Sequence, residues 1–230
     1  MKPKSILNKH QIALLKEIKN DDYLSSHFYL AWGTTLAEYY LHHRLSDDLD
    51  FFTKDTEIDV SYIEKFFENK KEVLWIKSWQ RIKKYDRNMI HLIYNDGFEL
   101  KTEFTIYFQP LYPLETKNWL QIESINDIFL NKIACIVDRH DPKDYIDLFY
   151  LWDEPTVDLI NITRRYEEKF KNSLSNSTLW YAFFKGKKIN TLPHLIDKKF
   201  KRDRFHLFFS ILSKEYGYNS IYSSSNNRSL

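Results

Sequence analysis

The stretch Phe28–Phe52 reads FYLAWGTTLAEYYLHHRLSDDLDFF, and it decides the fold. A compact apolar and aromatic run over 27–32 ends at Gly33 and predicts a buried strand. The segment 34–41 has the spacing of a short helix, and charged and apolar residues then alternate over 48–52 as they do in a strand. A strand, a glycine turn, a short helix and a second strand together indicate an α/β arrangement.

Apolar periodicity extends this pattern along the first half of the chain. Helical spacing predicts helices over 8–20 and 60–70. Strands are predicted in three further segments, 73–79, 89–94 and 98–107. The tripeptide Asn95-Asp96-Gly97 is expected to join the last two as a tight hairpin, because Asp-Gly readily supplies the positive φ that such turns need.

No strand is predicted beyond Pro110 and Pro113. Helices are expected in three later segments, 122–137, 156–170 and 198–214, and a Ser/Asn-rich end, 220–230, is expected to fray. Asp141-Pro142 is a typical helix start. The sequence therefore predicts an α/β (α+β) fold: a mixed or antiparallel sheet flanked by helices over 1–120, followed by a helical C-terminal domain over 121–230.

Composition excludes several classes of protein. The 230 residues include four Gly and six Pro against seventeen Phe and sixteen Tyr, which excludes a collagen-like or generally disordered chain. No apolar run approaches the ~18 residues of a membrane span, and residues 1–5 lack the apolar core of a secretory signal, so a cytoplasmic protein is expected. The single cysteine, Cys135, lies in an apolar run and is expected in the core.

Charge is distributed unevenly along the chain. Residues 1–150 hold 20 Lys+Arg and 24 Asp+Glu, whereas residues 151–230 hold 14 and 8. This asymmetry indicates either an acidic catalytic part beside a polyanion-binding part or ordinary surface scatter. Some of the basic residues of 151–230 form two runs that suit an RNA backbone or a solvated helix face: Lys185, Lys187 and Lys188, then Lys198, Lys199, Lys201, Arg202 and Arg204.

Three acidic residues are candidate metal ligands. Asp48 and Asp50 stand two apart on a predicted strand, so their carboxylates are expected on one face, where bound Mg²⁺ or Mn²⁺ would relieve their repulsion. Glu103, on the predicted strand 98–107, would complete a cluster for two metal ions if the two strands are neighbours. The alternatives are solvated surface carboxylates for the pair and the wet face of a sheet for Glu103.

Gly33-Thr34 is a candidate phosphate-binding turn. Backbone N–H groups at a helix start attract anions, Gly lets a phosphate approach closely, and the Thr hydroxyl adds a donor. An ordinary helix cap is the alternative. Combined with the acidic strand, the turn would place a nucleoside triphosphate beside two cations.

Two blocks of the sequence resemble the AbiEii/AbiGii-type toxins of the DNA-polymerase-β-like nucleotidyltransferase superfamily. Their Gly-Gly-Thr turn and His-Arg-x-Ser-x-Asp-x-Asp-Phe-Phe motif are matched by Gly33, Thr34, His43, Arg44, Ser46, Asp48, Asp50, Phe51 and Phe52. The second block, LNKIACIVDRHDPKDYIDLFYL over 130–151, is similar to the family's Lys-x-x-Ala-x-x-x-x-Arg and Arg-Asp-x-x-Asp-Leu at Lys132, Ala134, Arg139, Asp144, Asp147 and Leu148. The resemblance covers about residues 25–155.

The sequence departs from the family pattern at three positions. Trp32 replaces the first Gly, and it would either narrow the approach of the phosphates or stack beside the base. Lys143 replaces an Arg and loses its bidentate fork. Glu103 stands where Asp is common. None of these changes removes a metal ligand.

The resemblance implies the toxin of a type IV toxin–antitoxin or phage abortive-infection system, with a cognate antitoxin as partner. Such an enzyme would transfer NMP from an NTP to an acceptor hydroxyl, in some relatives the 3′ end of tRNA, and release pyrophosphate. Two rivals remain at this stage: a small-molecule, antibiotic-type nucleotidyltransferase, and a catalytically idle module that binds a nucleotide or a partner.

The resemblance also implies residue roles. Asp48 and Asp50 would hold both cations, and Glu103 would bind one of them and act as general base. The nucleotide would be bound by Gly33, Thr34, Ser46 and Lys132, with Lys132 facing the triphosphate unless it is an ordinary surface lysine. Asp144 is carried over as a catalytic-site residue without a derived role, and Arg139 and Asp147 are expected to form a structural pair.

Overall fold

The computed structural model describes residues 5–85 and 87–226, with side chains described as far as Gly217. Between Ser124 and Ile125 the chain divides into two compact units. The assignment of a catalytic domain to 1–120 and a helical domain to 121–230 stays a prediction. Among the described residues no helix is long and apolar enough to cross a membrane.

The first unit opens with α1, Lys9–Lys19, as the periodicity predicts. Its start is fixed by a capping box, in which the Asn8 side chain accepts from backbone N–H groups of the first turn and the Gln11 side chain accepts from the Asn8 N–H. A second short helix, α2, Asp22–His27, was not predicted, and it leads directly into the first strand.

A mixed sheet forms the centre of the first unit. In the described part of the chain it has seven strands: β1 Phe28–Ala31, β2 Leu49–Thr53, β3 Ile76–Lys84, β4 Arg87–Tyr94, β5 Glu99–Ile106, β6 Glu115–Lys117 and β7 Leu120–Ile122. Their order is β3-β4-β5-β2-β1-β7-β6. The pairs β2–β5 and β1–β7 are parallel and the other pairs are antiparallel, so the predicted mixed sheet is confirmed.

Two helical segments connect the central strands. After β1 the chain forms α3, Trp32–Thr35, and continues as a π-helical segment, Leu36–Leu41. After β2 it forms α4, Val60–Lys70, which begins and ends where the periodicity predicts and is capped by the Asp59 side chain. The π-helical turn was not foreseen, since its apolar spacing resembles that of an α-helix.

One face of the sheet is apolar and the other carries the carboxylates. Leu30, Phe51 and Phe104 belong to a fully buried cluster that also includes Leu14 of α1 and Phe67 of α4. Burying each such side chain contributes about 1.5–3 kcal/mol to folding. Because side chains alternate along a strand, the neighbours of these residues on β2 and β5 face the opposite side.

The prediction that strands stop after Pro113 is wrong. β6 and β7 form an antiparallel hairpin whose turn residues, Asn118 and Trp119, both have positive φ, 49° and 67°. Three-residue strands are too short to show a period of two, and the turn contains no Gly to mark it. β3 also starts later than predicted, because Trp75 has a φ of 62° and the preceding residues form a turn.

The second unit is helical, as predicted. Its described helices are α5 Ile125–Asp138, α6 Pro142–Trp152, α7 Ile162–Phe170, α8 Asn176–Gly186 and α9 Arg202–Asn226. Asp141 caps α6 through the Lys143 N–H, with Pro142 in the first turn, which confirms the predicted start. The expectation of fraying over 220–230 is wrong for 220–226, which lie in α9, and 227–230 lie outside the described residues.

Cys135 lies in the core of the second unit. It is buried in α5, as predicted, and its burial raises the pKa of the thiol to about 12. A thiol with so high a pKa carries almost no thiolate at neutral pH, so Cys135 is a packing residue.

Candidate active site

The register of the three central strands brings the predicted site together. Ala31, the last residue of β1, lies opposite Asp50 of β2, and Asp50 lies opposite Glu103 of β5. Adjacent strands are about 4.8 Å apart. The Gly33 turn begins directly after β1. It therefore lies beside Asp50 of β2, and β2 separates it from Glu103 of β5.

Asp48 and Asp50 differ in exposure and in their position relative to β2. Asp48 is exposed just before the strand, and Asp50 is half-buried within it. Leu49 and Phe51 alternate with them and are fully buried in the core on the other face. A carboxylate pair on the accessible face of a buried strand is what the sequence predicts.

Gly33 lies directly against a buried guanidinium. A Cβ at this position would be 2.7 Å from Nη2 of Arg44, so a larger residue would displace the Arg44 side chain, and 3.4 Å from Oγ of Ser46, an ordinary contact distance. Arg44 is 2% exposed, and its Nη1 donates to the Leu45 carbonyl at 2.8 Å. The structure thus brings Gly33 and Ser46 together and adds Arg44, to which sequence reasoning gave no role although it stands in the His-Arg-x-Ser motif.

Two hydrogen-bonding side chains fasten the loop that precedes Asp48. The Thr34 hydroxyl donates to the Asp48 carbonyl, and Thr34 is buried. From α1, Nε2 of Gln11 donates to the carbonyls of Ser46 at 2.8 Å and Asp47 at 3.2 Å. Thr34 therefore joins the turn to the acidic strand, and its role as a phosphate ligand stays a prediction.

A buried acid lies at the start of the turn. Glu123, directly after β7, accepts from the Trp32 N–H through Oε2 at 3.2 Å, and its own N–H donates to the Leu30 carbonyl at 2.9 Å. Its side chain is inaccessible to solvent. Sequence reasoning missed Glu123, because the hairpin that positions it was not predicted.

Trp32 has the backbone conformation of a glycine. Its φ is 57°, in the left-handed region that a bulky residue seldom adopts. Gly adopts this conformation without steric cost. The indole packs edge-on against Phe52 and Tyr107, with ring centroids 5.3 and 5.7 Å away.

Glu103 is buried and held by an arginine. Arg87 of β4 forms a bidentate fork with it: Nε contacts Oε1 at 2.6 Å and Nη2 contacts Oε2. The Thr105 hydroxyl donates to Oε1 at 2.5 Å. The Glu103 side chain is 8% exposed, whereas Glu99 on the same strand is exposed, so the wet-face alternative is wrong for Glu103. Sequence reasoning missed Arg87.

The second sequence block forms an ion cluster between α5 and α6. Nζ of Lys132 contacts Oδ1 of Asp144 at 2.8 Å and Oδ2 of Asp147 at 2.7 Å, and Nε of Arg139 contacts Oδ2 of Asp144 at 2.7 Å. Lys132 is 3% exposed. Burial favours the neutral form of Asp144, but Lys132 and Arg139 outweigh it and hold the pKa of that carboxyl below its ordinary value. The Arg139–Asp147 pair stays a prediction.

The sequence profile of the AbiEii nucleotidyl transferase toxins of type IV toxin–antitoxin systems matches residues 13–210. The chain belongs to the AbiEii family. It is accordingly a nucleotidyltransferase, and both blocks of site residues lie within the matched range. The resemblance of its two motifs to this family is confirmed.

The chain also resembles one sequence relative and two solved structures. The chain is 31% identical over 149 residues to the uncharacterized protein aq_aa25 of Aquifex aeolicus (strain VF5), which covers 63% of this chain and 67% of that protein. A crystal structure of a candidate nucleotidyltransferase from H. pylori has a TM-score of 0.58 at 20% identity, covering 91% of this chain and 96% of that one. JHP933 from Helicobacter pylori has a TM-score of 0.52 at 18% identity, covering 95% of each chain. These structures share the fold.

Nucleotidyltransferases of this kind generally use an NTP and a divalent metal ion, which requires side chains that can bind the ion. Within residues 5–85 and 87–226, no three Asp, Glu, His or Cys side chains are arranged to hold a metal ion. Mg²⁺, however, is usually bound by one or two carboxylates plus substrate phosphates and water. Asp48 and Asp50 would supply two such carboxylates, so the residues present fit the ion in number and chemistry.

Proposed function

We propose that this AbiEii protein transfers NMP from an NTP to the 3′ hydroxyl of an RNA, with tRNA as the acceptor and Mg²⁺ or Mn²⁺ as the metal. The observation that supports this most directly is the register that sets the end of β1, Asp50 and Glu103 side by side. A phosphate-binding turn next to two carboxylates is what nucleotidyl transfer requires.

In this proposal the carboxylates hold the metal and accept the proton. Asp48 and Asp50 would hold the divalent cation, which would supply positive charge to offset that of the phosphates. Glu103 would become a third ligand once Arg87 releases one of the Glu103 carboxylate oxygens. Glu103 also takes the proton of the attacking hydroxyl. The new bond joins the acceptor oxygen to the α-phosphorus, and the bond to pyrophosphate breaks.

The turn binds the rest of the triphosphate. Gly33 leaves room for the β- and γ-phosphates, and the Thr34 and Ser46 hydroxyls lie beside it. The Arg44 guanidinium, fixed against Gly33, contributes positive charge near these phosphates and would stabilise the pyrophosphate as it leaves.

Lys132 and Asp144 are assigned to the catalytic site by the family resemblance. Their burial in one ion cluster supports a positioning role, in which the cluster fixes α6 against α5. The remaining parts of the proposal follow from the family and the substrates: a cognate antitoxin regulates the enzyme, and the enzyme works in the cytoplasm, where NTPs and tRNA are available.

The proposal is tested with purified protein, Mg²⁺, each labelled NTP in turn, and bulk tRNA, an aminoglycoside or no acceptor. Labelled tRNA is expected. Label on the aminoglycoside alone would make the acceptor a small molecule, and nucleotide binding without transfer would make the protein an idle binding module.

Two variants connect that activity to the site. Asp50→Asn and Glu103→Gln are each expected to lower transfer at least ~100-fold, because the first loses a carboxylate that binds the metal and the second loses the group that accepts the proton. Glu99→Gln is the matched control on the same strand, since Glu99 is exposed and pairs with His91. Full activity in Asp50→Asn would contradict the metal assignment.

A further inference from the structure

The C-terminal end of α8 presents lysines stacked on aromatic rings. Nζ of Lys185 lies 5.4 Å from the centroid of Tyr181, and Nζ of Lys187 and Lys188 lie 5.1 and 4.9 Å from the centroid of Phe184. Trp180 and Tyr181, on the same helix, are 40% and 57% exposed. We call these six residues the α8 face: Trp180, Tyr181, Phe184, Lys185, Lys187 and Lys188.

The positive charge of the α8 face is not neutralised locally. Within the described part of the chain, none of its three lysines forms an ion pair with a carboxylate. Burial is the main cause of the lowered pKa of His140, and the positive charges of Lys185 and Lys188 lower it further. Asp138 offsets part of the effect of burial on the pKa of Lys185, which is nevertheless lowered. The face therefore produces a positive potential that extends to the turn between α5 and α6.

The second basic run differs in each of these respects. Asp197 directly precedes it, Asp203 lies within it, and Arg204 pairs with Asp153 at 2.9 Å. Its aromatic residue, Phe200, packs against Phe149 and Phe205. This run therefore resembles a solvated helix start, although its lysines are as numerous as those of the α8 face.

We propose that the α8 face is the surface on which the acceptor RNA docks, a step that rests on the proposed function. Lysine ammonium groups attract phosphates, and the exposed rings of Trp180 and Tyr181 give unpaired bases a stacking surface. The combination fits a single-stranded RNA end, since bases in a duplex are already stacked and unavailable. The longer basic run contributes little to binding.

The experiment measures RNA binding without catalysis. Bulk tRNA labelled with fluorescein at the 5′ end is titrated with the full-length protein, without NTP, at several salt concentrations, and binding is followed by anisotropy. The triple variant Lys185→Gln/Lys187→Gln/Lys188→Gln is expected to weaken binding by roughly 10- to 100-fold and to reduce the salt dependence by about two to three released counterions. Tyr181→Ala is expected to weaken binding roughly tenfold with an unchanged salt slope.

The control carries the same charge change elsewhere. Lys198→Gln/Lys199→Gln/Lys201→Gln removes three lysines from the second basic run and is expected to change affinity less than about threefold. Equal losses in the two triple variants would show nonspecific attraction and overturn the docking surface, as would unchanged binding in the α8 variant. Circular dichroism and thermal melting confirm that each variant is folded.

Failure of this inference is distinguishable from failure of the proposed function. If the wild-type protein labels tRNA but the α8 variant binds it normally, the docking surface is wrong and the activity stands. If the wild-type protein neither binds nor labels RNA, both proposals fail. Loss of binding in the α8 variant, with weak binding restored by low salt, supports the surface.

Discussion

At the scale of single residues, Trp32 shows how the backbone explains a family preference. A position with φ near 57° costs a non-glycine residue about 1–2 kcal/mol. The chain tolerates this cost because the indole packs against Phe52 and Tyr107. From the sequence, Trp32 was expected to alter nucleotide access. Its backbone strain was not predicted, because a positive φ at one residue does not change the apolar periodicity.

Replacing Trp32 with two small residues separates packing from strain. Trp32→Ala and Trp32→Gly lose the same ring contacts, but only Gly relieves the backbone. We expect Trp32→Gly to be more stable than Trp32→Ala by up to about 1 kcal/mol, which reverses the usual order of these residues. Urea unfolding of both variants measures the difference, and a less stable Gly variant would contradict the assigned conformation.

Arg87 sets the availability of Glu103. Its fork occupies both carboxylate oxygens, which is consistent with the absence of a preformed three-carboxylate metal site among the described residues. In Arg87→Gln a positive charge next to the site is lost, so we expect Mn²⁺ affinity to rise roughly tenfold. Mn²⁺ binding followed by electron paramagnetic resonance measures this directly.

Arg81→Gln is the matched control for Arg87→Gln. Arg81 lies on β3 of the same sheet and pairs with Glu64 at 2.6 Å, so the change in net charge is identical. Its Mn²⁺ affinity is expected to equal that of the wild-type protein. An equal rise in both variants would mean that overall charge, and not release of Glu103, controls metal binding.

At the scale of elements, α5 and α6 are joined by charges buried away from water. Removing one partner leaves the others uncompensated, so Lys132→Met is expected to cost about 3–5 kcal/mol of unfolding free energy. Denaturant unfolding tests this expectation. A variant that is as stable as the wild-type protein but inactive would instead favour a direct contact of Lys132 with the triphosphate.

The same cluster predicts an acid dependence of stability. The pKa of Asp144 is lower in the folded chain than its ordinary value of 3.8, so its contribution is fully present above about pH 5. It is lost as the pH falls through the folded-state pKa. Asp144→Asn is therefore expected to be less stable than the wild-type protein at pH 7, with the difference shrinking toward pH 3. Thermal melting across this range measures the trend.

Periodicity predicted the long elements and missed the short ones. α1, α4 and β5 each present enough turns or alternations to fix their type and nearly their ends. The β6–β7 hairpin has three residues a strand, and its Asn118-Trp119 turn lacks the glycine that marks such turns. Apolar periodicity therefore identifies the type of a long helix or strand more reliably than that of a short one.

The site residues that sequence reasoning missed are those whose hydrogen-bond partners lie far away along the chain. The carboxylates of Asp48, Asp50 and Glu103 were predicted because strand alternation and the motif both mark them. Arg87 and Glu123 were missed, since their partners lie 16 and 91 residues away along the chain. Only the strand order brings such residues to the site.

At the scale of the whole molecule, charge is divided between the two units. Residues 1–124 hold 17 Lys+Arg and 19 Asp+Glu, whereas residues 125–230 hold 17 and 13. If the proposed acidic site binds a small nucleotide through a metal and the proposed basic surface binds a long polyanion, the two should respond differently to salt.

This division predicts opposite sensitivities of two Michaelis constants. Between 50 and 200 mM salt, the KM for tRNA is expected to rise at least about tenfold, because several phosphate contacts release counterions. The KM for the NTP is expected to change less than about threefold, since it binds mainly through the chelated cation. Steady-state transfer assays measure both, and parallel changes would argue against separate binding surfaces.

The amide of Gln11 links the opening helix to the loop before Asp48. In the proposed site, the position of Asp48 therefore depends on a contact with a residue more than thirty positions earlier in the chain. If the proposed site is correct, we expect a compound that separates α1 from this loop to inhibit transfer without occupying the nucleotide site.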